Sequence, residues 1–131
     1  MAQLEILVAE DDEINREIIR EILGALDDPD LVMACDGREA LEACMSRRFD
    51  LLIFDRKMPF ITGDKLIRHI RASVNVNSQT PAILFSASSQ SEMEKSVRNC
   101  PADMILSKPI KADDFLSAVQ CLAGAGPVDT A

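Results

Sequence analysis

Apolar and polar residues alternate in blocks along this chain. Five short runs are apolar at nearly every position: 4–9 (LEILVA), 31–35 (LVMAC), 51–54 (LLIF), 81–85 (PAILF) and 104–106 (MIL). Runs of this length, without an alternating polar face, predict strands buried on both sides. Between them the apolar residues recur at helical spacing. Ile14, Ile18, Ile22 and Leu26, widened by Ile19 and Leu23, predict a helix stopped by Asp27-Asp28-Pro29-Asp30. Ala40, Leu41, Cys44 and Met45 predict a second over 38–48, and Leu66, Ile67 and Ile70 a third over 64–72. Residues 92–98 predict a short fourth helix with only Met93 and Val97 facing inward. Phe115, Leu116, Val119 and Leu122 predict a fifth over 112–123. Residues 73–80 (SVNVNSQT) read as a polar loop. One domain over 1–123 is expected, followed by a loose tail over 124–131 (GAGPVDTA).

Five strands alternating with five helices predict an α/β fold, with a parallel sheet, helices on both faces and right-handed crossovers. Every strand then ends on the same edge, where ligands gather in open sheets of this kind. The third apolar run stops at Asp55, since Pro59 cannot continue a ladder. Glu10 and Asp11 follow the first run, Ser86 the fourth and Lys108 the fifth. Each has a plain structural role open to it: a turn aspartate, surface acids, a salt bridge. Reactive residues at four strand ends together favour a site.

The net charge of −8 argues against nucleic acid or an anionic membrane as partner. No apolar run approaches the ~18 residues of a membrane span, and the N-terminus lacks the basic start of a signal peptide. Cys35, Cys44, Cys100 and Cys121 form no CxxC pair, and His69 is the one imidazole. Free, mostly buried thiols in a reducing cytoplasm are expected. His69, among charges in RHIRA, reads as a solvated helix residue.

Carboxylates gathered at one spot raise each other's pKa unless a cation neutralises them. Glu10, Asp11 and Asp55 are hard oxygen donors of the kind Mg²⁺ takes, and Mg²⁺ on one or two carboxylates usually serves a phosphoryl group. Lys108 offers a compact positive charge and Ser86 a hydroxyl. A carboxylate can itself carry a phosphoryl group as an acyl phosphate.

The stretches ILVAEDDEIN, LLIFDRKMPFITG, ILFSAS and ILSKPI, in this order, resemble the four signatures of response-regulator receiver domains, over about residues 4–123. The resemblance implies a flavodoxin-like (CheY-like) sheet of order 2-1-3-4-5. It implies that Asp55 accepts a phosphoryl group from a histidine kinase or histidine phosphotransfer protein. Glu10, Asp11, Asp55 and the backbone carbonyl of Lys57 would hold Mg²⁺, and Ser86 and Lys108 the phosphoryl oxygens. It also implies a cis Lys108-Pro109 bond. The output would be a protein partner docked on the face of the fourth helix, fifth strand and fifth helix, making the chain a switch rather than a turnover enzyme.

Two positions depart from the family pattern. Ile105 stands where receivers usually carry an aromatic ring that swings inward, so the expectation is that residues 88–123 respond by backbone and helix shifts. Arg56-Lys57 follows Asp55 directly; it reads either as a solvated basic pair, or with Lys57 reaching the acids and partly replacing the metal. Two other functions stay open. One is a degenerate receiver that docks without phosphate. The other is a haloacid-dehalogenase-type aspartyl-phosphate hydrolase, which wants an acid where Lys57 stands and a cap domain this length does not supply. Both a stand-alone receiver and one cut from a hybrid kinase fit the chain.

Overall fold

A computed structural model describes residues 3–87 and 101–123. The strands are β1 (Glu5–Ala9), β2 (Asp30–Ala34), β3 (Leu51–Asp55), β4 (Ala82–Ser86) and β5 (Met104–Ser107). They form one parallel sheet in the order β2-β1-β3-β4-β5. The helices among the described residues are α1 (Glu13–Leu23), α2 (Gly37–Ser46), α3 (Gly63–Ala72) and α4 (Ala112–Ala123). The short helix expected over 92–98 and the tail over 124–131 lie outside the described residues.

Every residue of β3 and β4 is buried, as their unbroken apolar runs require. Successive side chains leave a strand on opposite faces, and the two cores divide accordingly. Ile6, Val8, Ile53 and Phe85 pack with Ile19 and Leu23 of α1 and Phe115 of α4. Leu7, Ala9, Leu52 and Phe54 pack with Cys44 of α2 and Leu66 of α3. Phe85 and Phe115 meet edge to face at 5.2 Å between ring centroids.

The inward face of α1 is narrower than its isoleucine spacing suggests. Ile19 and Leu23 are buried and Ile22 is half-buried, but Ile14 is 69% exposed and Ile18 38%. Ile14 lies in the first turn of α1. Met45 of α2 is likewise 44% exposed, beside buried Cys44. The described thiols are less buried than expected: Cys35 and Cys121 are exposed and Cys44 is buried, all three free, while Cys100 lies outside the described residues. His69 is exposed, as anticipated. No described helix is long and apolar enough to cross a membrane.

The loop over 73–80 is not simply a polar connection. Asn77 is fully buried. Its Oδ1 accepts from the Phe49 backbone N–H at 2.8 Å and from Thr80 Oγ1 at 3.0 Å. Its Nδ2 donates to the carbonyls of Cys44 at 2.7 Å and Arg47 at 2.8 Å. One amide thereby closes the end of α2, the start of β3 and the entry to β4. An isolated hydrogen bond contributes about 1 kcal/mol, but stranding buried partners costs about 1–3 kcal/mol. We expect Asn77→Ala to lower stability by about 3 kcal/mol in urea unfolding. A loss under about 1 kcal/mol would mean that water replaces the amide.

Candidate functional site

The site forms where β1, β3 and β5 run out. Glu10 follows β1 directly, and its N–H donates to the Ala34 carbonyl of β2 at 3.0 Å. Asp12 then caps α1, accepting from the Ile14 N–H at 2.9 Å. The chain must turn sharply here, and the turn places Glu10 inward, 1% exposed, with Asp11 exposed beside it. Asp12 N–H donates to Glu10 Oε2 at 3.1 Å, and Arg16 Nη1 to the Glu10 carbonyl at 2.8 Å. Asp55 is the last residue of β3 and is 6% exposed.

Lys108 reaches in from the far end of the chain. Its Nζ lies 3.0 Å from Asp55 Oδ1 and 3.3 Å from Glu10 Oε1. The Lys108 N–H donates to the Ser86 carbonyl at 2.9 Å, tying the end of β5 to that of β4. The Lys108-Pro109 peptide bond is cis. Ser86 is fully buried at the end of β4, one residue beyond Phe85, the register partner of Asp55. Residues far apart in sequence thus converge because parallel strands all end on one edge.

The backbone after Asp55 is held closely. Arg56 N–H donates to the Phe85 carbonyl at 2.8 Å, and Gly63 N–H to the Arg56 carbonyl at 2.8 Å. A Cβ on Gly63 would overlap the Asp55 carbonyl oxygen, so only glycine lets α3 start against the strand end. The basic pair divides. Arg56 is half-buried, with Nε 3.7 Å from Asp64 Oδ2, and so is not a solvated side chain. Lys57 is exposed and makes no ion pair among the described residues. It does not reach the acids; Lys108 does. Ile105 is half-buried and packs against the core shared by α2 and α3. Asn77, Arg16 and the Arg56–Asp64 pair were not legible as supports, because nothing in their local sequence marks what they touch.

The cleft is electrostatically loaded. Burial, then the nearby charge of Asp55, pushes the Glu10 carboxyl up to about 7. Burial likewise raises Asp55, against the hydrogen bond and charge of Lys108. Burial lowers Lys108, but the two carboxylates outweigh it and hold the ammonium charged. Glu10, Asp11 and Asp55 each offer a carboxylate oxygen, all within 4.8 Å of one another. Three acids against one ammonium leave negative charge uncompensated. The hard oxygen donors and that surplus fit a small divalent cation such as Mg²⁺.

The profile of the response regulator receiver domain matches residues 6–120. The chain belongs to the response regulator receiver family. It is 32% identical over 120 residues to the sensor histidine kinase AruS of Pseudomonas aeruginosa, covering 91% of this chain and 12% of that protein. It is 35% identical over 108 residues to the Regulator of RpoS of Escherichia coli K12, covering 82% of this chain and 31% of that protein. The receiver thus spans a minor part of these relatives. Among solved structures it resembles the receiver domain of a sensor histidine kinase from Pseudomonas aeruginosa PAO1, which holds a magnesium ion coordinated in its active-site cleft. That likeness has a TM-score of 0.84 and 26% identity, covering 94% of this chain and 99% of the other. Membership accounts for the sheet order and makes the chain a module of two-component signalling.

Glu10 gives the cleft a definite pH dependence. Its carboxyl is raised from 4.5 to about 7 on folding, so the metal-free fold binds the extra proton in between. The stability this adds is fully present below about 4.5 and is lost as pH rises through about 7. In chelator, urea unfolding of wild type relative to Glu10→Gln should show wild type losing stability across that interval. A flat difference would place the Glu10 carboxyl in its ordinary range.

Proposed function

We propose that this receiver takes a phosphoryl group on Asp55 from a phosphohistidine donor, a histidine kinase or phosphotransfer protein. The observation carrying this reading is the Lys108 ammonium, 3.0 Å from Asp55 Oδ1 at the end of a buried strand. An Asp55 carboxylate oxygen attacks phosphorus, the phosphorus–nitrogen bond to the donor imidazole breaks, and the imidazole leaves with that electron pair. The product is an acyl phosphate on Asp55. Phosphoryl transfer asks a protein mainly for positioning and charge neutralisation. Lys108 neutralises phosphoryl oxygens as it already neutralises Asp55, and the Ser86 hydroxyl at the end of the neighbouring strand donates to one of them. Glu10, Asp11 and Asp55, with the Lys57 carbonyl, are the groups that would hold Mg²⁺. When bound, Mg²⁺ supplies charge neutralisation for donor and acceptor together.

A phosphoryl group adds about −1.5 to −2 charge at Asp55. The partner-binding face we assign to it is the one the resemblance implies, of which β5 and α4 are the described elements. A cavity of about 190 Å³ lined by Phe85, Ile105, Leu106, Lys111 and Asp114 opens beside it. Ile105 is half-buried against the core and carries no ring to swing, so this face responds through β5 and helix displacement. The same residue supports a second reading, a receiver that docks without phosphate.

Incubation with acetyl phosphate and Mg²⁺, followed by intact mass, tests the first reading. Wild type should gain one phosphoryl group and Asp55→Asn none. Lys108→Ala should be phosphorylated about 10²-fold more slowly. No adduct on wild type would leave the docking reading.

A further inference from the structure

The loop between β3 and α3 is tied to α2 by contacts that the acidic cleft does not use. Ile61 N–H donates to the Pro59 carbonyl at 2.9 Å, and Phe60 between them has φ 74°. A hydrogen bond spanning two residues around a left-handed one is the rare, strained form of γ-turn. An aromatic side chain suits that conformation poorly. Phe60 is also 68% exposed, so burial does not offset the strain.

The hold on Phe60 comes from the first turn of α2. The Arg38 guanidinium lies 4.2 Å from the Phe60 ring centroid. Gly37 N–H donates to the same Pro59 carbonyl at 3.2 Å. A Cβ on Gly37 would overlap the Ile61 carbonyl oxygen, so the approach depends on glycine. Lys57, whose carbonyl is assigned to the metal, and buried Met58 lie between Asp55 and Pro59 along the chain.

We propose that Gly37, Arg38 and Phe60 form a latch coupling the loading of the Asp55 cleft to the first turn of α2, a route of output independent of residue 105. The proposal rests on Asp55 being the phosphoacceptor. Movement of residues 56–58 toward a loaded cleft draws the Pro59 carbonyl from Gly37. Phe60 then leaves the left-handed region and Arg38 is released. The closed arrangement is strained and gripped, the open one relaxed and ungripped, which is the discrete pair of states a switch needs.

The Gly37 amide reports the latch directly, because a first-turn N–H has no acceptor within its own helix. Its hydrogen exchange can be followed by NMR in the full chain, with and without acetyl phosphate and Mg²⁺, while intact mass counts the phosphoryl group. We expect exchange at Gly37 to speed up several-fold on phosphorylation. Phe60→Leu keeps the charge and alters only an exposed side chain; it should exchange fast already and change little. An adduct on wild type with unchanged Gly37 exchange overturns the latch and leaves Asp55 as acceptor. A full response retained in Phe60→Leu overturns it equally. No adduct overturns the acceptor reading and the latch together.

Discussion

The ammonium of Lys108 between Glu10 and Asp55 is the interaction on which the cleft depends. Two carboxylates buried this deeply cannot both stay ionised side by side without a counter-charge. Lys108 supplies one unit, at 3.3 Å from Glu10 and 3.0 Å from Asp55. That is enough to keep the cleft intact and too little to neutralise it. Burial, and after it the charge of Asp55, pushes the Glu10 carboxyl up to about 7. Hard carboxylate donors with negative charge left over suit a further cation.

The rest of the fold is what allows that meeting. β1, β3 and β5 are parallel and deliver Glu10, Asp55 and Lys108 to one edge. Hydrogen bonds from Glu10 to Ala34, from Arg56 to Phe85 and from Lys108 to Ser86 knit the strand ends into a single rim. Gly63 starts α3 against the Asp55 carbonyl with no room for a side chain. Far from the rim, Asn77 does similar work at the opposite edge, joining α2, β3 and β4 through one buried amide. The two cores between these edges are built from alternate residues of the same strands, so neither face can shift without the other.

Ile105 makes this receiver a useful case. An aliphatic side chain stands there, half-buried against the core, with no ring to move. In the β3–α3 loop, which begins one residue after Asp55, Phe60 is strained, exposed and held by Arg38 of α2. Strain of this kind costs on the order of 1–3 kcal/mol. That is comparable to the coupling energies by which one site influences another.

The sequence by itself determined the parallel sheet and which polar residues stand at its strand ends. Apolar runs of strand length, separated by helical spacing, leave little choice but a parallel sheet with helices on both faces. That topology alone sends Glu10, Asp55, Ser86 and Lys108 to one edge. Only the tertiary structure decided the finer allocations, because they depend on which neighbour lies across a gap rather than along the chain. It kept Lys57 away from the acids that Lys108 meets. It buried Asn77 inside an apparently polar loop and left Ile14 and Ile18 of an apolar stripe in solvent. It paired Arg56 with Asp64, and it set Phe60 under Arg38. Periodicity reports which face of an element is apolar; it says nothing of where the opposing surface stops.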